Sequence, residues 1–313
     1  MTEHRLLNAG RLPLALETRL AREFAYQALP PGGERTAFLA EHGAAIEAVV
    51  TSAGVGINAT LLAALPNLRV ISSFGVGLDR IAVDAAQARG IAVGYTPDVL
   101  NDCVADLAFA LLLDVARQVA ASDRFVRRGD WLASTYPLAR KVSGAKLGLL
   151  GLGRIGRTIA RRSSGFDMDV RYHSRRPVAG VPWTHEPALL ELARWADFLV
   201  VITAGGTETR HLVNAEVLDA LGPDGFIVNV ARGSVIDEAA LIQALTERRI
   251  AGAGLDVFED EPQVPAALLT LDNVVLTPHI ASATRETRQA MADRVVDNLR
   301  SFFADGRLVS AAD

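Results

Sequence analysis

Cysteine is almost absent from this chain of 313 residues, since Cys103 is the only one. No intrachain disulfide can form and no cluster of cysteine ligands can hold a metal, so we expect no metal site. A single cysteine is typical of a reducing compartment, and we therefore expect a cytoplasmic protein. The amino-terminal residues contain no apolar block of the signal-peptide type.

Long apolar runs and an excess of positive charge are also absent. The longest apolar run, residues 107–113, ends at Asp114 and is too short to cross a bilayer. The chain has 32 Lys and Arg against 36 Asp and Glu, and this balance argues against nucleic acid or a membrane surface as the partner. Since 50% of the residues are hydrophobic, we expect a large core, and the length predicts roughly two domains.

The chain does contain a regular alternation of short apolar runs with helical stretches. The predicted strands cover residues 45–51, 68–72, 91–94, 146–150, 169–173, 198–203, 226–231, 253–257 and 273–276. The predicted helices cover residues 101–119, 155–162, 214–221, 238–248 and 285–303. Such alternation, with runs buried on both faces, predicts an α/β fold with parallel, doubly wound sheets.

The last predicted helix follows the second series of strands and could return to pack on the first domain. We therefore predict two Rossmann-like, doubly wound domains with a cleft between them. The first is discontinuous and covers residues 1–98 and 286–313, whereas the second covers residues 99–285.

A glycine-rich loop follows one predicted strand and begins a helix. It consists of Gly151, Leu152, Gly153, Arg154, Ile155 and Gly156. Gly151 permits the tight turn, Gly153 lets the backbone approach a pyrophosphate, and Gly156 lets the helix pack close to the sheet. Alone, such a motif is often an ordinary turn. Its position between strand and helix predicts dinucleotide binding by the second domain, which leaves the first as the substrate domain.

The end of the next predicted strand indicates which dinucleotide binds. An NAD site usually has an acidic residue there, but this chain has Ser174, Arg175 and Arg176. The nearest upstream carboxylate, Asp169, would lie roughly 16 Å short of that position in an extended strand. A hydroxyl and two guanidinium groups suit a 2′-phosphate, although two arginines in a loop can also be merely solvated. The segment predicts NADPH, with NAD as the weaker alternative.

Three further groups with suitable chemistry follow apolar runs. Arg232 comes after a predicted strand, where ligands bind in such folds, and its guanidinium suits a carboxylate or a keto oxygen. His279 also follows an apolar run, and histidine is the natural proton donor near neutral pH. A carboxylate of Glu259, Asp260 or Glu261 could orient this histidine, but spacing does not decide which. Each of these residues, taken singly, could instead be a surface or packed loop residue.

With these residues identified, the chain resembles the D-isomer-specific 2-hydroxyacid dehydrogenase family over nearly its full length. The resemblance rests on Gly151 to Gly156, Ala231-Arg232-Gly233, Asp256-Val257-Phe258 with Glu261-Pro262, and Pro278-His279-Ile280 with Ser282 and Thr284. It implies that Arg232 binds the substrate, that Glu261 orients His279, and that His279 is the acid/base and contacts the substrate.

The resemblance implies further contacts on both domains. Asp256 matches the aspartate near the nicotinamide, and the segment Val230, Ala231 and Arg232 is expected to contact the cofactor. The segment of residues 72–79 resembles the family's substrate loop. In that loop the backbone N–H groups of Val76 and Gly77 would hold the substrate carboxylate.

The predicted function is NADPH-dependent reduction of a small 2-keto acid, glyoxylate or hydroxypyruvate, to the D-2-hydroxy acid by a homodimer, as the resemblance implies. Alternative substrates are hydroxyphenylpyruvate, phosphoglycerate or a branched keto acid. A nucleotide-sensing corepressor or scaffold on the same fold is the alternative of another class.

Two segments depart from the family pattern, and one segment stays open. Ala204-Gly205-Gly206 stands where the family often has Pro-Leu-Thr, and Asn101 stands where it often has threonine. Trp131, Tyr136 and Leu138 could line the substrate pocket, although their pattern favours a core or a dimer interface.

Overall fold

The structure is a computed structural model that describes residues 3–312, and the chain divides into two compact units. Unit 1 takes the residues up to Leu100 and those from Thr284 onward, and unit 2 takes Asn101–Ala283. Each unit is built around its own parallel sheet.

Unit 1 contains a five-stranded sheet in the order β2-β1-β3-β4-β5. Its strands are β1 (Arg5–Asn8), β2 (Ala25–Ala28), β3 (Ala48–Ser52), β4 (Val70–Phe74) and β5 (Ala92–Gly94). Its helices are α1 (Leu14–Glu23), α2 (Glu34–His42), α3 (Ala59–Ala63), α4 (Val83–Ala88) and, from the end of the chain, α12 (Arg285–Asp305). All neighbouring strands are parallel, and this order is one of the two common doubly wound orders.

Unit 2 contains a seven-stranded sheet in the order β12-β11-β10-β9-β6-β7-β8. Its strands are β6 (Lys146–Leu150), β7 (Asp169–His173), β8 (Thr184–His185), β9 (Phe198–Val201), β10 (Phe226–Asn229), β11 (Gly252–Leu255) and β12 (Val274–Leu276). Its helices are α5 (Asn101–Arg117), α6 (Val119–Arg127), α7 (Arg154–Arg162), α8 (Leu189–Trp195), α9 (Ala215–Leu221), α10 (Glu238–Thr246) and α11 (Ala266–Thr270). The strand order reverses between β6 and β9, which is where doubly wound sheets bind ligands.

The central strands of both sheets are buried along their whole length. Every residue of β3, β4, β9, β10 and β11 is buried. Strands covered on both faces read as continuous apolar runs, and this is the pattern that the sequence shows. The prediction of two α/β units with doubly wound parallel sheets is confirmed.

Several predicted boundaries differ from the observed ones. The strand predicted at residues 45–51 begins only at Ala48, because residues 43–45 form a 3-10 turn. The strand predicted at residues 226–231 ends at Asn229, whose side chain binds the following turn. Among residues 3–312, no helix combines the length and apolar character that a membrane span requires.

Candidate active site

The glycine loop connects β6 to α7 through two positions that only glycine fits. Gly151 has φ of +109°, and a Cβ there would lie 2.9 Å from the backbone nitrogen of Thr203. A Cβ on Gly156 would lie 2.5 Å from the carbonyl oxygen of Gly151. The loop therefore packs directly on its own helix and on the end of β9. Leu152 is buried, Ile155 is half-buried, and Arg154 is the first residue of α7.

Gly153 differs from these two glycines because a Cβ there would meet no atom within 4 Å. It is the N-cap of α7 and, being glycine, has no side chain of its own to cap this helix terminus. The open side of Gly153 and the positive end of the helix dipole therefore coincide. This arrangement fits a pyrophosphate group, whose oxygens accept hydrogen bonds from backbone N–H groups.

In the segment after β7, Ser174 is half-buried, and Arg175 and Arg176 are exposed. Ser174 Oγ donates to the carbonyl oxygen of Arg176 at 2.7 Å, and the Arg175 guanidinium lies 2.7 Å from a carboxylate oxygen of Glu208. Asp169 begins β7 opposite the first residue of β6, so it lies at the other edge of the sheet from Ser174. These guanidinium groups fit a 2′-phosphate, and Glu208 is an anion that sequence reasoning did not assign to this region.

Arg232 lies in the turn after β10, half-buried. The side chain of Asn229 holds this turn from both ends, since Oδ1 accepts from the Ala231 N–H at 3.0 Å and Nδ2 donates to the Arg232 carbonyl at 2.9 Å. Val230 and Ala231 are buried, so the side chains in this part of the predicted cofactor segment pack inside the protein. The guanidinium donates to the Ala231 carbonyl at 2.8 Å.

His279 lies on a loop after β12 and has φ of +51°. The carboxylate of Asp256 holds this loop. It accepts from the Thr277 hydroxyl at 2.7 Å and from the N–H groups of Ile280 and Ala281 at 2.8 and 2.9 Å. The backbone carbonyl of Asp256 also accepts the His279 N–H at 2.9 Å. Asp256 is completely buried, and the described hydrogen bonds of its carboxylate are to the loop that carries His279. A contact with the nicotinamide stays a prediction.

The carboxylate that faces His279 belongs to Glu261. Its Oε2 lies 2.7 Å from Nδ1 of His279, and its Oε1 accepts from the Phe258 N–H at 3.1 Å. Burial by itself raises the pKa of the Glu261 carboxyl. The hydrogen bond and charge of His279, the Phe258 N–H and the charge of Arg232 together outweigh burial, so this pKa lies below its usual range. Glu261 is therefore a carboxylate at neutral pH, and it stabilises a protonated imidazole.

The chain is similar in sequence and structure to known proteins. The family profile described as D-isomer specific 2-hydroxyacid dehydrogenase, NAD binding domain, matches residues 109–281. The chain is 44% identical over 295 residues to glyoxylate/hydroxypyruvate reductase A of Arabidopsis thaliana, covering 94% of each chain. The chain belongs to the D-isomer-specific 2-hydroxyacid dehydrogenase family.

Further relatives show the range of this family of oxidoreductases. The chain is 48% identical over 266 residues to 2-ketogluconate reductase of Gluconobacter oxydans, covering 85% of this chain and 86% of that one. It is 46% identical over 273 residues to hydroxyphenylpyruvate reductase of Plectranthus scutellarioides, covering 87% of each. A solved NADPH-dependent glyoxylate/hydroxypyruvate reductase from Sinorhizobium meliloti, in complex with NADP and malonate, has a TM-score of 0.91 and 40% identity, covering 99% of this chain and 97% of that one. The predicted membership in this dehydrogenase family is confirmed.

The segment that resembles the family's substrate loop follows β4 in unit 1. Val76 and Gly77 are half-exposed, and their N–H groups donate to no other group among residues 3–312. Gly75 precedes them with φ of +144°, and its N–H and carbonyl both bind Thr96, at 3.1 and 3.0 Å. The N–H groups of this loop fit a carboxylate.

Sequence reasoning missed the residues that hold these loops. The side chains of Asn229 and Thr96 bind backbone next to predicted site residues, and the half-buried Thr277 hydroxyl donates to the carboxylate of Asp256. Asn229 stood inside a predicted strand, where its polarity was the only signal. Ala204-Gly205-Gly206 is the segment that differs from the family pattern. Gly206 has φ of +140°, and the Thr209 hydroxyl donates to the Ala204 carbonyl at 2.8 Å. This dehydrogenase therefore has a tight turn there.

Proposed function

We propose that this dehydrogenase is an NADPH-dependent reductase of small 2-keto acids, with glyoxylate and hydroxypyruvate as substrates and D-2-hydroxy acids as products. The observation that carries the proposal is the Glu261–His279 pair, 2.7 Å apart, in the unit that also contains Arg232 and the glycine loop. A proton donor, a cation and a dinucleotide loop are the groups that reduction of a keto acid requires.

His279 is proposed to protonate the oxygen of the substrate carbonyl through Nε2, because Nδ1 is engaged by Glu261. Glu261 fixes the orientation of the imidazole and favours its protonated form. Arg232 binds the substrate carboxylate and opposes the negative charge that develops on the carbonyl oxygen. When bound, the reduced nicotinamide supplies the hydride. The amides of Val76 and Gly77 are proposed as further donors to the carboxylate.

The choice of NADPH rests on Ser174, Arg175 and Arg176 at the carboxyl end of β7, where residues 173–178 include no acidic residue. The S. meliloti reductase, which is described as NADPH-dependent, supports the same choice. We propose NAD as the weaker alternative, because Glu208 lies 2.7 Å from the Arg175 guanidinium and offsets part of its charge.

A second candidate substrate class is favoured by the relatives at 46% and 48% identity, whose names specify hydroxyphenylpyruvate and 2-ketogluconate. These substrates are bulkier than glyoxylate and use the same reaction. Side-by-side turnover of the four keto acids decides between the classes. A nucleotide-sensing role without turnover remains the alternative of another class.

We also propose that the protein is a cytoplasmic homodimer. Five large apolar side chains within residues 119–138 are more than half exposed: Val119, Val126, Trp131, Leu132 and Leu138. Exposed apolar side chains so concentrated in one segment favour burial against a second copy. The sequence had favoured a core or interface role for Trp131, Tyr136 and Leu138. The exposures of Trp131 and Leu138, 68% and 101%, argue against a core role and support an interface role. A Trp131→Ser, Leu132→Ser variant is expected to elute as a monomer, and an unchanged dimer would contradict this assignment.

The proposed function is tested by oxidation of NADPH and, separately, NADH in the presence of each keto acid. We expect turnover of glyoxylate or hydroxypyruvate with a preference for NADPH. His279→Gln is expected to lower kcat by at least about 100-fold while NADPH still binds. Turnover that survives in this variant would refute the proposed proton donor. If wild type fails with all four acids, these substrate assignments are refuted.

A further inference from the structure

The turn that carries Glu261 is held from outside by charged groups that do not touch the Glu261–His279 pair. At its centre is Glu259, two residues before Glu261. Its Oε1 lies 2.6 Å from the Arg210 guanidinium and 3.1 Å from Nε2 of His211. Its backbone N–H donates to Oε2 of Glu238 at 3.2 Å. Glu259 is therefore bound through both its side chain and its backbone.

The same group of residues is bonded to the turn that carries Arg232. The His211 N–H donates to the Ser234 carbonyl at 2.9 Å. A Cβ on Gly233 would lie 1.9 Å from the carbonyl carbon of Phe258, so the two turns are in direct backbone contact. Glu259 thus lies where the turn of Arg232 and the turn of Glu261 meet.

Electrostatics explain why this junction needs the positive charge of Arg210. Glu259, Asp260 and Glu261 are consecutive acids, and Glu238 lies against the first of them. Burial raises the pKa of Glu238, the Glu259 N–H lowers it in part, and the charges of Glu259 and Asp260 raise it further, with a net increase. Like charges this close repel one another, and the Arg210 guanidinium offsets that repulsion at Glu259, where Nε2 of His211 adds a contact at 3.1 Å.

We propose that Glu259 is a positioning residue, which keeps the turn of residues 258–261 in place and thereby aligns Glu261 with His279. This inference rests on the proposed function, because it assigns the aligned pair to proton transfer. Glu259 itself is not a catalytic residue: its side chain binds Arg210 and His211, and it acts on the reaction only through Glu261. Loosening the turn weakens the Glu261–His279 contact at 2.7 Å, so the protonated imidazole that donates to the carbonyl loses part of its stabilisation.

The test compares Glu259→Ala with wild type. We expect kcat for the keto acid to fall about tenfold, because a misaligned acid is less effective, with KM for NADPH unchanged within about twofold. The pH at which kcat/KM declines should move lower. Glu259→Gln should recover most of the loss, because its amide oxygen still accepts from Arg210.

The matched control is Glu247→Ala, which removes an exposed carboxylate of the same unit that binds Arg249 and Gln243 at 2.9 Å. It should behave as wild type. If Glu259→Ala lowers only the melting temperature, and kcat and the pH profile stay at wild-type values, the positioning role is refuted. If Glu259→Ala does not fold, Arg210→Met removes the same contact from the other partner and is judged by the same criteria.

A second readout separates this inference from the proposed function. If wild type reduces no keto acid, the proposed function fails. The NMR titration of the His279 imidazole, identified by its loss in His279→Gln, then tests the alignment without turnover. A midpoint at lower pH in Glu259→Ala than in wild type supports the inference, and an identical midpoint overturns it.

Discussion

Replacing Glu261 by glutamine removes the negative charge beside His279 and retains an oxygen that can accept its hydrogen bond. In wild type the two groups are 2.7 Å apart, and their side chains are 33% and 44% exposed. Unit charges about 4 Å apart interact by about 1 kcal/mol in water and about 4 kcal/mol at an effective dielectric constant of about 20. A half-exposed pair lies between these limits, so we expect the charge to contribute about 2 kcal/mol.

The protonated imidazole is the form that donates the proton, and it is the form that the Glu261 charge stabilises, by about 2 kcal/mol or about 30-fold at 25 °C. In Glu261→Gln, kcat/KM for the keto acid should therefore equal the wild-type value in mildly acid buffer. As the pH rises, kcat/KM of the variant should decline at lower pH than that of wild type. At alkaline pH it should be about 30-fold below the wild-type value. The measurement is the pH profile of kcat/KM with saturating NADPH, with Glu247→Gln as the control.

A deficit of the same size at every pH would refute this reasoning, since it would mean that Glu261 acts through geometry and not through its charge. No deficit at all would also refute it, and would show that the contact at 2.7 Å does not bear on proton transfer.

Three further outcomes follow from the same structure. Arg175→Ala with Arg176→Ala should raise KM for NADPH by at least about tenfold and leave KM for NADH within about twofold, since charge-assisted bonds to the 2′-phosphate are lost. An equal rise for both cofactors would contradict this assignment. Gly153→Ala should fold normally, because its Cβ enters open space, but it should lose dinucleotide binding. Gly156→Ala should instead melt at a lower temperature, because its Cβ would lie 2.5 Å from a backbone atom. Tight NADPH binding by Gly153→Ala would argue against the pyrophosphate site. The lowered pKa of Glu261 stabilises the fold above about pH 4.5, and this contribution is lost as the pH falls through the lower pKa of the folded state. The difference in melting temperature between wild type and Glu261→Gln should therefore shrink in acid, and a difference that grows in acid would reverse the argument.

The sequence by itself determined the fold class and which chemical groups are available for binding and catalysis. Central strands such as β4 and β9 are buried on both faces, so their apolar runs are readable without coordinates. Glycine at positions 151, 153 and 156 is a local requirement of a strand–turn–helix unit, and such local requirements appear directly in the sequence. Short strands with mixed composition, such as β1 and β2, were not predicted because four residues carry too little periodicity.

Only the tertiary structure decided which side chains meet. Three consecutive acids were equally placed by spacing, and folding brings Glu261 to His279 while Glu259 binds Arg210 and His211 instead. Asp256 lies more than 20 residues before the loop that its buried carboxylate holds. Contacts of this kind depend on how separate strand ends converge at one edge of a sheet, and separation along the chain does not record that convergence.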